Sequence, residues 1–560
     1  WEEHDEERVV SPVLGPLRER LVGDLRPAAV ALGLAVALVL LIACGNVAAI
    51  LLARSFARRR ELALREALGA SSRRLARQLL TESLALSLAA APLGLLLGFW
   101  SIRLLTRAAG DQLPSWIQVG VDWRLGLFAV AAVVLTAVLF GWAPVLQARR
   151  QRIPETLAEG SGRTGASRAQ RRTMGGLVVA EVALAALLLV TSGLLIRGFQ
   201  RLQHVDPGFR TEDVLTFRVS LPSTSYPDSV ARRGFYRELL EALGTLPGVH
   251  AAGLVTCPPL GCHSGYFFEV EGAPPRGHGD PNPVVLYRGA TPGYFRAMGV
   301  RLARGRFFDG GDDGVLGIIV NETFARELIP AGRDPVGQRV RFHGGEGPWF
   351  TVIGVAADVR HYGLERPMRP GVYFPLEARA PASAVVALWT GVPPTGLVAP
   401  ARALVRGLDP ELPLYQVGTM EEALSASLQM RRISSWLMAV FAGLALVLAL
   451  GGIYGVLSYI VGQRGREIAV RLALGAPRGQ VARMVVRQGM GLAVAGLGLG
   501  LLAALAAGRL LSGLLVGLSP RDPLTFGVVA ALLLGAAALA TLAPARRALG
   551  MEPQAALRED

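Results

Sequence analysis

The chain has 560 residues, 51% hydrophobic and 18% charged, with a mean hydropathy of +0.40. Soluble domains carry about 25% charged residues and split into separate cores well before this length, so a single soluble globule is excluded. All 58 basic residues are arginine and 43 residues are acidic, a net charge of +15; the arginines gather at the ends of apolar runs, which points to membrane topology and away from nucleic acid.

Trp1–Leu25 is polar, has neither a methionine start nor a signal-peptide pattern, and reads as the tail of a truncated extracytoplasmic domain. Seven apolar runs follow: Ala28–Ala53, Glu82–Leu105, Leu125–Ala148, Met174–Ile196, Ile433–Val461, Met490–Leu515 and Leu524–Ala543. Each is long enough for a hydrocarbon core, which takes roughly twenty residues. Each must be helical there, because only a helix satisfies its own backbone within one segment. The expected fold class is a membrane protein: an α-helical transmembrane bundle of seven helices with an inserted extracytoplasmic mixed α/β domain.

Arginine bias sets the orientation. The segments after the first, third and fifth runs are arginine-rich (Arg54 to Arg77, Arg149 to Arg172, Arg464 to Arg487), whereas the alternate short loops mix in Asp111, Asp122 and Asp522. Short arginine-rich loops stay in the cytoplasm, which places Arg197–Arg432 outside and the C-terminus inside.

The segments after the first and fifth runs are copies. At one constant offset Arg60 meets Arg466, Glu61 meets Glu467, Arg65 meets Arg471 and Ala67-Leu68-Gly69-Ala70 meets Ala473-Leu474-Gly475-Ala476. The flanking helices keep that register, with Gly45 opposite Gly451 and Gly94 opposite Gly500. Both copies run in the same direction, a parallel repeat about an axis along the membrane normal. The expected organisation is a first permease repeat over 26–157, a cytoplasmic linker over 158–173 and a helix over 174–196. The external domain over 197–432 and a second permease repeat over 433–560 complete it. In each copy leucines alternate with charge at near-helical spacing, and Gly69-Ala70-Ser71 or Gly475-Ala476-Pro477 breaks the helix. An interfacial helix whose arginines only hold topology is the simpler reading. A docking surface better explains why glutamate, arginine and the turn recur at identical spacing.

In the external segment, Leu215, Phe217, Val219 and Leu221 alternate with polar residues, the period of a half-buried strand. Asp228–Leu243 reads as a helix with Val230, Phe235, Leu239, Leu240 and Leu243 inward. Tyr266–Val270, Val284–Tyr287, Gly317–Val320 and Phe350–Val355 read as strands, and Pro292–Met298 and Glu322–Leu328 as short helices. Cys257 and Cys262 can pair outside the cytoplasm or stay free thiols; a metal centre lacks the four ligands it needs. Cys44 is a small packing residue.

Within the membrane runs the glycine pairs Gly94/Gly98, Gly451/Gly455 and Gly496/Gly500 permit close helix approach. Glu181 is an intramembrane carboxylate, by default a functional candidate, with packing or snorkelling as the alternatives. A Walker A loop needs a lysine the chain does not have, and no zinc-protease or nucleophile-elbow motif occurs. No cofactor is expected.

Arg60–Ala70 and Arg466–Ala476 share the pattern Arg-Glu-(Leu/Ile)-Ala-(Leu/Val)-Arg-x-Ala-Leu-Gly-Ala, which resembles the cytoplasmic signature of MacB/FtsX-type ABC transporter permeases. The duplication resembles the large acidobacterial-type permeases of that group, here N-terminally truncated. Gly208-Phe209-Arg210, Asn321-Glu322-Thr323-Phe324-Ala325 and Asp334-Pro335-Val336-Gly337 add family-like stretches. The resemblance implies a multi-pass cell (inner) membrane subunit that couples a separate cytoplasmic ABC-type ATPase to movement of its external domain. Arg60, Glu61, Arg65, Gly69, Arg466, Glu467, Arg471 and Gly475 would form the ATPase-coupling helices. The lipid bilayer and a periplasmic adaptor are further expected partners. A membrane-anchored receptor or scaffold, and a self-contained secondary transporter, are the alternatives.

Overall fold

The computed structural model describes residues 26–57, 65, 72–109, 123, 126–131, 134, 168–262, 264–273, 283–309, 316–343, 347–474, 476–510 and 519–549. The chain divides into two compact units, Trp1–Gln200 with Ile433–Asp560, and Arg201–Arg432.

The first unit is helical. Its long helices are α1 (Arg26–Ala57), α2 (Ser72–Ala109) and α3 (Arg168–Gln203). Among the described residues six helices are long and apolar enough to cross a membrane; the other three are Met420–Gln463, Arg478–Leu510 and Pro523–Leu549. The seventh expected span, Leu125–Ala148, lies mostly outside the described residues, as do the linker and Trp1–Leu25. Helix α3 runs through the middle of the described bundle. Val178 and Val182 join one apolar cluster, Ala185 and Leu188 a second, and Ala186, Val190 and Leu194 a third. This apolar helix thus contributes to three clusters along its length.

The second unit is mixed α/β. Its strands in chain order are β1 (Val214–Ser220), β2 (Val249–Val255), β3 (Gly265–Tyr266), β4 (Phe268–Val270), β5 (Val285–Ala290) and β6 (Leu302–Gly305). They continue with β7 (Gly317–Asn321), β8 (Arg339–Phe342), β9 (Phe350–Ala356), β10 (Gly371–Pro375), β11 (Ser383–Thr390) and β12 (Tyr415–Thr419). The sheet order is β12-β1-β11-β2-β5-β10-β7-β9-β8-β4, with β3 also on β5 and β6 on β9. Most pairs are antiparallel; β5–β10 and β7–β9 are parallel. Helices α4 (Ser229–Gly244), α5 (Pro292–Ala297), α6 (Glu322–Glu327) and α7 (Val398–Leu408) accompany the sheet.

Helix α4 starts at Asp228, whose carboxylate accepts the amides of Val230 and Ala231, a cap that satisfies two otherwise orphaned donors. It buries Phe235, Tyr236, Leu239 and Leu243. Val230 is not inward as expected but 72% exposed. At 100° per residue it stands opposite Leu239, so the helical period itself puts it on the wet face.

The expected strand Tyr266–Val270 is two strands. Gly265–Tyr266 pairs with β5 and Phe268–Val270 with β8, and the chain changes partner at Phe267. Three clusters make the core. Ala384, Val386 and Leu388 of β11 face the cluster of β1, α4 and α7, while Val385 and Ala387 face the cluster holding Tyr294, Phe295 and Met298. The third gathers Phe268, Ile318, Phe324, Val352 and Phe374.

Candidate functional site

The second copy of the repeated segment folds as a short helix, a turn and a long helix. After α8 (Met420–Gln463) come α9 (Gly465–Ala473) and α10 (Arg478–Leu510), and α11 (Pro523–Leu549) closes the described chain. Ile468 and Ala469 of α9 are buried, Ile468 in a cluster with Val461, Val481, Val485, Ala545 and Ala548. The other face is open: Glu467 and Arg471 form an exposed pair at 2.7 Å, Val470 is 40% exposed and Leu474 82%. Arg464 also approaches Glu467, at 3.8 Å. Pro477 precedes α10, and its carbonyl accepts the amide of Gln480.

In the first copy, Arg65 is described and exposed, while Arg60, Glu61 and Gly69 lie outside the described residues. Gly475 also lies outside, and of Arg466 only the backbone is described. One side-chain contact recurs between copies. Arg65 donates to Gln78 Oε1 at 3.2 Å, and Arg471 donates to the Met484 sulfur at 3.3 Å, each thirteen residues downstream. The two contacts join equivalent positions of the repeat through different acceptors.

The glycines separate into two groups. A Cβ at Gly496 would lie 2.7 Å from Val182 Cβ, and one at Gly500 would lie 2.5 Å from Ala183 O, so α10 packs backbone-close on α3. Gly94, Gly98, Gly451 and Gly455 meet nothing within 4 Å among the described residues, and the expected close approach is not found at them. Two further tight positions, Gly45 and Gly452, are both pressed by the Glu181 carboxyl group. Glu181 is 2% exposed and does not snorkel. The i, i+4 spacing is common to both groups; which face a neighbour covers is set by the bundle.

At the other end of α3, Arg197 pairs with Asp522, which also accepts the amide and hydroxyl of Thr525 at 2.9 and 2.6 Å. These bonds, Thr525's hydroxyl first, hold the Asp522 carboxyl below its usual range. Asp522 therefore caps α11 and ties it to α3, two roles that neighbouring charge in sequence does not reveal.

In the external unit, the Cys257 and Cys262 sulfurs are joined, with Cα atoms 5.6 Å apart. Cys44 is buried, beside Ala48. The three family-like stretches are turns and caps. Gly208 has φ +79°, Phe209 is buried, and Arg210 stacks 3.7 Å from the Trp389 ring centre while donating to Arg296 and Ala297 carbonyls. Asn321 caps α6 through the Phe324 amide and also receives the Gly371 amide. Asp334 accepts the Val336 amide, and Gly337 has φ +90°. Among the described residues no cluster of metal-ligating side chains occurs.

Sequence reasoning missed the buried polar groups Arg288 and His361. Arg288 is 1% exposed, gives hydrogen bonds to the Ser264 and Tyr287 carbonyls, and lies near His361, Tyr373 and Tyr294. Burial first, and Arg288 second, push His361 well below the usual histidine range. Its position opposite Tyr373 on adjacent strands is a matter of register, invisible along the chain.

The FtsX-like permease C-terminal model matches residues 33–153 and 439–553, and the MacB-like periplasmic core domain model matches residues 173–405. Among solved structures, the periplasmic region of MacB from Actinobacillus actinomycetemcomitans is 15% identical, with a TM-score of 0.27. That match covers 40% of this chain and 95% of that one. The extracellular domain of the noncanonic ABC-type transporter YknZ from Gram-positive bacteria is 18% identical, with a TM-score of 0.23, covering 34% and 93%. No curated protein matches. With an FtsX-like segment on either side of a MacB-like core domain, the chain belongs to the MacB/FtsX-type ABC transporter permeases, in duplicated form.

Proposed function

We propose that this permease is the mechanotransmission subunit of an ATP-driven export or extracytoplasmic signalling complex. A separate cytoplasmic ATPase docks on the two repeated helix–turn–helix segments, and its cycle moves the external domain through the membrane helices. The C-terminus is cytoplasmic in this reading, because the arginine-rich segments share its side.

The observation that carries it is the two-faced α9. Ile468 and Ala469 anchor it to the membrane unit, and Glu467, Val470, Arg471 and Leu474 stay exposed. A topology anchor needs only arginine; an exposed leucine beside a charged pair suits a protein surface. The recurrence of the Arg65 contact at Arg471 supports a second, equivalent docking helix.

The test is affinity purification of the full chain in mild detergent, with partners identified by mass spectrometry, beside Glu61→Arg with Glu467→Arg. The expected result is an ATPase that co-purifies with wild type and is lost from the variant. Recovery of no ATPase by wild type, in a detergent that preserves related complexes, refutes the coupling and favours a receptor or scaffold.

A further inference from the structure

Three helices meet at Glu181. Its carboxyl group, carried by α3, lies against the backbone of α1 at Gly45, where a Cβ would come within 2.6 Å of Oε1. On the other side it lies against α8 at Gly452, where a Cβ would fall closer still to Oε2 and 2.9 Å from Oδ1 of Asn46. Neither carboxyl oxygen has a hydrogen-bond partner among the described residues.

The orientation of Asn46 decides what this arrangement holds. Its Nδ2 donates to the Leu448 carbonyl of α8 at 2.8 Å, so Oδ1, an acceptor, is the atom that stands at Gly452, at the same position that the Glu181 carboxyl group crowds. A carboxylate beside an amide oxygen, with no hydrogen-bond donor among the described residues, would be an unpaired buried charge beside a repelling dipole. A carboxylic acid in the same place has an O–H to offer that acceptor.

Among the described helices that surround Glu181, no other charge competes. The charged residues of the surrounding helices are Arg168, Arg171, Arg172, Arg197 and Arg201 on α3, Arg26 and Arg54 on α1, Glu421, Glu422, Arg431 and Arg432 on α8, and Arg478, Arg483, Arg487 and Arg509 on α10. Each stands at least nine residues along its helix from the contact, about 13 Å or more at 1.5 Å per residue. Tyr454 of α8 lies beneath the Arg547 guanidinium of α11, and the Cys44 side chain packs by Leu177.

The repeat explains how room was made. In its register Asn46 corresponds to Gly452 and Gly45 to Gly451. One copy supplies the amide and the other a bare backbone at the equivalent position, and Glu181 fills the space between them.

We propose that Glu181 is a membrane-buried proton-binding site whose charge state is tied to the packing of α1, α3 and α8. Packed, it holds the proton. When the helices part and water enters, the O–H bond breaks, its electron pair stays on the carboxylate and the proton passes to water; repacking reverses the step. The site needs no ATPase to exist.

The test is infrared absorption of the full chain in lipid nanodiscs at neutral pH, in H2O and D2O. Solvent-exposed carboxyls are ionised there, so a protonated-acid C=O stretch that shifts in D2O and is absent from Glu181→Gln assigns the proton. The variant keeps shape and neutrality, so its unfolding midpoint should match wild type. Gly45→Leu wedges the junction open, and the acid band should be lost; Gly452→Ala supplies the same wedge from α8 should that variant fail to fold. Absence of the band from wild type, or its survival in Glu181→Gln, overturns the assignment. An acid band unchanged in both wedge variants overturns the link to packing.

Discussion

Replacing Gly500 by alanine and Gly455 by alanine should shift stability in opposite directions. Both are helical glycines in apolar sequence at i, i+4 spacing from a second glycine. An alanine Cβ at 500 would lie 2.5 Å from Ala183 O and 2.5 Å from Ala186 Cβ, inside contact distance of a backbone that cannot rotate away. Overpacking of this kind costs about 1–3 kcal/mol, against a helix-propensity gain of about 1 kcal/mol, leaving a net loss of up to about 2 kcal/mol. At Gly455 nothing stands within 4 Å among the described residues, so the propensity gain of up to about 1 kcal/mol is unopposed by them. The assay is the thermal unfolding midpoint of the full chain and each variant in one detergent, with Gly496→Ala and Gly451→Ala as a second pair. Midpoints that move the same way at 500 and 455 would refute the packing of α10 on α3.

Three further outcomes are expected. His361, held neutral by burial, takes up its proton only in the unfolded chain, so its share of stability is present above about pH 6.5 and is lost as pH falls below it. Unfolding midpoints of wild type measured downward from neutral pH should drop more steeply than those of His361→Gln. Asp522→Ala removes the cap of α11 and the partner of Arg197, and should cost about 1 kcal/mol in denaturant titration. Because the Asp522 carboxyl lies below its usual range, that contribution is present above about pH 3.9 and is lost as pH falls through the lowered folded value. Reducing Cys257–Cys262 releases a short loop and should lower the stability of the external unit by about 2 kcal/mol, read as the shift between oxidised and reduced samples.

What the sequence determined by itself is what depends on local order along one chain. The apolar runs had to be helices, because a chain in hydrocarbon must satisfy its backbone within itself. The repeat was legible because it is a comparison of the chain with itself, and it led to Glu467, Arg471 and Arg65. In the external unit β1 was legible because Leu215, Phe217 and Val219 alternate over a half-covered surface. Strand β11 was not, since helices cover both of its faces and its residues are apolar without alternation. Only the tertiary structure decided which glycines matter: Gly452 and not Gly451, Gly500 and not Gly455, because helix rotation decides which face meets a neighbour. It also turned Val230 outward, set Arg288 beside Tyr373 and brought Asn46 to Glu181. The residues of such a pair lie far apart in the chain, and their meeting depends on the register and rotation of several elements at once.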